Sequence, residues 1–142
     1  LMGAVRGVDA AVPLLSKSEA ASVLMISTTA ALETFMGPTS YNAIKAALIV
    51  HMNGLSQALG PRGIRVNAIS PGPIYFEGGA WAQIEQTMKP MYDKAVKGCA
   101  IGRMGTPEEV AKAATFLVSP AASLITGVNL VADGGFTKRV NF

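Results

Sequence analysis

The chain has 142 residues, 50% of them apolar and 15% charged, with a net charge of +3: enough for one buried core, and a composition that excludes a disordered chain. Lys17, Lys45, Arg62, Arg65, Lys89, Lys94 and Lys97 are too scattered to make a surface that tracks nucleic-acid phosphates. The single cysteine, Cys99, excludes an internal disulfide and a multi-cysteine metal site, and fits a reducing compartment, the cytoplasm.

Helical spacing begins with the first residue, through Leu1, Val5, Val8, Val12 and Leu15, with no cap before it and no signal-peptide pattern, so the chain is read as entered inside a helix. Ser22 to Ser27 (SVLMIS) predicts a strand buried on both faces, followed by a loop from Thr28 to Pro38. Ala43, Ala46, Ala47, Val50, Leu55 and Ala58 predict a long helix from Ser40 to Leu59, which Gly60, Pro61 and Gly63 stop. Ile64 to Ser70 is the next expected strand.

Pro71 to Gly79, with two prolines and three glycines, is a loop. It leads into an irregular, partly helical stretch through Trp81, Met88 and Pro90, the expected mobile region. Thr106-Pro107-Glu108-Glu109 combines a capping threonine, a first-turn proline and a third-position glutamate, and so starts a helix over Pro107 to Val118. A last strand fits Val128 to Ala132. Lys45, His51 and Asn53 interrupt the most apolar stretch, so no window reaches the ~18 residues of a membrane span.

Helices alternating with short apolar strands predict an α/β fold whose parallel strands are joined by right-handed crossovers. Three strands alone would leave Ser22 to Ser27 as an open apolar edge, so the pattern demands more strands than these. The low charge content, against roughly 25% in an average soluble domain, likewise implies a surface covered by partners or further chain.

Tyr41 and Lys45 stand four residues apart near a helix start, on one face. An isolated phenol loses its proton near pH ~10, so a tyrosine working near pH ~7 needs about 4 kcal/mol of preferential stabilisation of its phenolate, which a neighbouring ammonium helps to provide. Ser27, Thr28 and Thr29 fall where a strand ends, the place where open α/β sheets hold ligands. A hydroxyl there is suited to a substrate carbonyl.

The segments ISTTAALETFMGPTSYNAIKAAL, GPRGIRVNAISPGPI and GRMGTPEEVAKAATFLVSPAASLITGVNLVADGG together resemble the short-chain dehydrogenase/reductase family, most closely the group around 3-oxoacyl-acyl-carrier-protein reductase. The resemblance covers nearly the whole chain. It implies part of a Rossmann-like doubly wound parallel sheet, its last three strands with flanking helices, and makes residues 1–142 the C-terminal, catalytic half of one domain. The implied activity is NAD- or NADP-dependent hydride transfer between a nicotinamide and a small carbonyl or alcohol. By the same resemblance Tyr41 is the acid/base, and Lys45 holds the nicotinamide ribose while acidifying the tyrosine.

The family's substrate-positioning serine lies thirteen residues before its tyrosine; Thr28 occupies that position here, with Ser27 one step earlier, and either is a candidate. Pro71, Gly72 and Ile74 resemble the loop beside the nicotinamide, whose backbone meets the carboxamide. Where members often carry a cofactor-binding threonine this chain has Phe76, which with Trp81, Met88 and Met91 is a candidate lid over an apolar substrate. The family's Gly-rich pyrophosphate turn and adenosine-reading residue have no counterpart in these residues, and its catalytic asparagine would immediately precede Leu1.

His51 has no partner at metal-ligand spacing, and Asp133 beside Gly134 and Gly135 reads as a turn device. No metal, nucleic-acid or membrane partner is expected. Asp9, Glu19 and Glu33 receive no role. The helices over Leu1 to Leu15 and Ala43 to Ala58 correspond to those that pair subunits in the family, implying a homodimer or homotetramer. A non-catalytic fragment keeping those helices, or a reductase-like binding scaffold, are the alternatives.

Overall fold

The computed structural model describes residues 1–34, 37 and 39–140; Phe35, Met36 and Pro38, at the end of the expected loop, and Asn141 and Phe142 lie outside the described residues. The elements run α1 (Met2–Leu15), β1 (Ser22–Ile26), α2 (Ser40–Leu59), β2 (Arg65–Pro71), α3 (Ala80–Thr87), α4 (Lys89–Gly98), α5 (Pro107–Val118) and β3 (Asn129–Ala132), with 3₁₀ turns at Thr29–Ala31, Gly60–Arg62 and Pro120–Ala122. All three strands are parallel, in the order β1-β2-β3, with Ser22 opposite Arg65 and Ala68 opposite Asn129. The α/β architecture expected from the alternation is the one observed.

β2 lies in the middle, and Val66, Ala68, Ile69, Asn67 and Ser70 are buried there. Val66 and Ala68 join Val8, Met25, Leu48 and Met52 in the core beneath α1 and α2. By strand alternation Asn67 and Ile69 turn to the opposite face, where α5 packs on β1 and β2 and buries Leu117. Helices therefore flank both faces of the sheet.

Three local expectations change. β1 is not buried on both faces among the described residues: only Met25 is fully buried along it, Ile26 is 50% exposed, and no described strand pairs with its outer side. β2 and β3 each begin one residue later than the spacing suggested. The stretch after Gly79 is two helices, α3 and α4, parted at Met88. Pro90 fits the start of α4, since its missing N–H costs no helical bond in a first turn.

Polar groups around β2 have assigned partners. The Arg65 guanidinium donates to the carbonyls of Leu117, Val118, Ser119 and Ile125, closing the C-terminal end of α5, whose last carbonyls have no helical partner. Asn67 donates to Ile125 O and accepts from Val128 N, and Ser70 donates to Asn129 Oδ1. These bonds fix the approach to β3 and so the end of the sheet from which the site is built.

α5 starts with the expected capping box, Thr106 and Glu109 each accepting from the other's backbone N–H. Arg103 adds two bonds to the Glu109 carboxylate, at 2.7 and 2.9 Å. Arg103 first, and then the Thr106 N–H, hold that carboxyl at about 2, below its ordinary 4.5. A depressed folded value means that the stabilisation is complete above pH 4.5 and is lost as pH falls toward about 2. Thermal unfolding followed against pH should show Glu109→Gln less stable than the unmodified chain at neutral pH, with the gap closing as pH falls through about 2; a gap of undiminished size in acid would refute this assignment.

Candidate active site

The C-terminal ends of β1, β2 and β3 open on one side of the sheet, and the residues that follow them converge there. A cavity of about 490 Å3 lies at this edge. Thr28 enters it from the end of β1, Tyr41 from the first turn of α2, and Gly72 and Ile74 from the loop after β2. α3 contributes Trp81, and Phe136 comes from beyond β3.

Thr39 caps α2, its hydroxyl accepting from Asn42 N, and so sets the entry of the helix that carries Tyr41 and Lys45. Tyr41 is 54% exposed, and its hydroxyl makes no hydrogen bond among the described residues. One turn on, Lys45 Nζ lies 5.9 Å from the centre of the Tyr41 ring and donates to the Ile26 carbonyl at 2.8 Å. The shared face read from the sequence is present.

The two candidate hydroxyls part company. Ser27 is buried and its hydroxyl donates to the Lys45 carbonyl at 3.0 Å, tying β1 to α2. Thr28 Oγ1 accepts from Ala30 N to start the following 3₁₀ turn, and its hydroxyl hydrogen has no acceptor among the described residues at the cavity Thr28 lines.

After β2, Gly72 N donates to the Ala132 carbonyl, and an isolated parallel bridge pairs Ile74 with Gly105. That bridge uses Pro73 O and Tyr75 N. The N–H and C=O of Ile74 itself therefore face the other way, and neither has a partner among the described residues. Pro71 is the last residue of β2 and sets this loop's departure.

Asp133 acts as the expected turn device: its carboxylate accepts from Gly135 N, Thr137 N and Thr137 Oγ1. Burial works to raise its proton affinity, but these donors outweigh burial and lower it below the ordinary carboxylate value. Gly134 and Gly135, both at positive φ, then turn the chain back toward the cavity. Glu33 Oε1 accepts from Lys138 N and Arg139 N, pinning the tail to the loop after β1 with Phe136 as a wall.

Of the four lid candidates, Trp81 lines this cavity and Met91 a neighbouring one. Phe76 and Met88 line neither and are half exposed, the Phe76 ring lying against Gly79. Arg65, which the sequence showed only as one of several scattered cations, Glu33, to which it gave no role, and Phe136 are further residues that shape the site. The Gly-Gly pair after Asp133 signals a turn but not its target, and Arg65 and Glu33 bind groups more than fifty residues away in sequence. Among the described residues no cluster of His, Cys, Asp and Glu is arranged to hold a metal ion, and no helix is long and apolar enough to cross a membrane.

Residues 1–137 match the profile of a protein family described as Enoyl-(Acyl carrier protein) reductase. Isoepoxydon dehydrogenase patN of Aspergillus clavatus is 43% identical over 143 residues, covering 100% of this chain and 55% of that protein. The 3-oxoacyl-(acyl-carrier-protein) reductase FabG of Chlamydia trachomatis is 37% identical over 136 residues, 94% of this chain and 52% of that one. The chain belongs to the short-chain dehydrogenase/reductase family. The crystal structure of a 3-oxoacyl-(acyl-carrier protein) reductase with bound NAD from Brucella melitensis superposes with a TM-score of 0.83 at 28% identity, over 97% of this chain and 49% of that one.

In short-chain dehydrogenase/reductase terms the three parallel strands are part of a Rossmann-like sheet, as the resemblance implied. The chain spans about half the length of the curated relatives it matches.

Proposed function

We propose that these residues are the C-terminal, catalytic half of an NAD- or NADP-dependent oxidoreductase that interconverts a carbonyl and an alcohol. The observation that supports it most is the common cavity: Tyr41, Thr28 and the Ile74 segment all line one space, with Lys45 beside Tyr41. A nicotinamide fits these residues, because its carboxamide presents one acceptor and one donor side, the complement of the unpaired N–H and C=O of Ile74. When bound it supplies or accepts the hydride.

The chain's own groups do the rest. Tyr41 gives its proton to the carbonyl oxygen in reduction and takes it back in oxidation. Thr28 donates a hydrogen bond that orients that oxygen, Lys45 holds the ribose hydroxyls and stabilises the phenolate, and Pro71 and Gly72 set the height of the Ile74 segment. The same reading carries a cytoplasmic homodimer or homotetramer paired through α1 and α2, whose outer faces expose Leu14 and Val50.

The test is consumption of reduced nicotinamide by the full-length protein over a panel of carbonyl compounds. Thr28→Val should lower kcat by roughly ten- to a hundredfold without changing the fold. Ser27→Ala should leave kcat within about twofold and lower stability by about 1 kcal/mol, the worth of its bond to α2. The opposite pattern would give Ser27 the orienting role, and no consumption with any member of the panel would overturn the reading.

A further inference from the structure

A second cavity, of about 830 Å3, adjoins the first and shares two of its walls, Trp81 and Phe136. Pro90, Met91, Ala95 and Gly98 give it a mostly apolar lining. The first cavity has no charged side chain among its described lining residues, and the second has one, Lys94. Lys94 is exposed and forms no hydrogen bond or ion pair among the described residues. Of the nearby lysines, Lys89 pairs with Asp93 and Lys138 donates to the carbonyls of Gly98 and Gly135, while Lys97, one turn on in α4 and also without a bond among the described residues, does not line the cavity.

The path from Tyr41 past the Trp81–Phe136 pair is thus neutral and apolar until it meets one uncommitted cation. We infer that the second cavity is a substrate subsite, and that the substrate is an elongated carbonyl compound with an apolar middle and an anionic group, carboxylate or phosphate, at the end remote from the carbonyl. This rests on the oxidoreductase reading for which end faces Tyr41. A short neutral substrate would leave the second cavity unfilled, and a distal cation would find Lys94 repelling it.

Trp81 forms the wall between the cavities, so the part of the fluorescence response that Trp81→Phe removes reports occupancy without turnover. The full-length protein is titrated with decanoate and with decanamide, equal in length and differing in charge, with Trp81→Phe to assign the signal. Decanoate should bind about fivefold more tightly at low salt, the size expected of one exposed ion pair, and the advantage should shrink as salt is added. Lys94→Met should abolish the preference and Lys94→Glu reverse it.

With 9-oxodecanoate and its amide as substrates, Lys94→Met should raise KM for the acid alone and leave kcat unchanged. Equal affinity for the two probes, no response to decanoate, or a preference that survives Lys94→Met would overturn the subsite. Turnover that persisted in Tyr41→Phe beside an intact charge preference would overturn the catalytic reading and leave the anion subsite standing.

Discussion

Tyr41→Phe should lower kcat of the full-length protein by about three orders of magnitude while leaving its fold and nicotinamide affinity in place. The size follows from the chemistry. Without the phenol, the alkoxide that forms when the carbonyl carbon is reduced must wait for a proton from water, and a positioned acid/base contributes roughly a hundred- to ten-thousandfold. The selectivity follows from the geometry: Tyr41 is 54% exposed and its hydroxyl makes no bond among the described residues, so its removal breaks nothing that holds the fold. The ring itself remains beside Lys45.

Lys45 is the neighbour on which the proposed role of the phenol depends. Its ammonium lies 5.9 Å from the ring centre and is held by the Ile26 carbonyl, the last residue of β1. The single helical turn between the two residues keeps that distance fixed. Single-turnover kinetics, a cofactor titration and a thermal melt on the variant form the check. Unchanged turnover would remove Tyr41 from the chemistry, whereas a collapsed melt would make it a structural residue.

The parts of the fold that are legible in the sequence are those set by local rules. The α5 start is encoded in four consecutive residues, Thr106 to Glu109, and the structure places it at the predicted residue. Tyr41 and Lys45 are legible for a similar reason, since their relation is fixed by one helical turn. Ser27 and Thr28 were not separable, because which hydroxyl turns inward depends on where β1 ends against α2, and the Ser27 bond to Lys45 O spans 18 residues. β1 read as doubly buried because an apolar run reports affinity for a core and not the presence of a neighbouring strand. Arg65 looked like one more scattered cation, yet four carbonyls converge on it from a segment more than fifty residues away.

Gly72→Ala should destabilise the protein by about 2–3 kcal/mol and weaken nicotinamide binding with it. A methyl group at this position would lie 2.5 Å from Asp133 Cβ and 2.8 Å from Asp133 Cα, closer than carbon atoms approach without displacement. Neither side yields easily. Asp133 is anchored through three donors, Gly135 N, Thr137 N and Thr137 Oγ1, while the Gly72 segment is tied to β3 through Ala132 O and to Gly105 through the Ile74 bridge. Glycine is required here by close approach of two segments of the chain, not by an unusual φ.

The loop is therefore expected to shift as a unit, carrying the Ile74 N–H and carbonyl away from where a carboxamide would meet them. A melting temperature lower by roughly 5–10 °C together with a raised nicotinamide dissociation constant would show that strand packing sets the height of the cofactor loop. A lowered melting temperature with unchanged affinity would separate the two, making Gly72 a residue of the sheet end alone. A melt within about 1 °C of the unmodified protein would mean that Asp133 moves aside, and that the hydrogen bonds around its carboxylate are too weak to define the site.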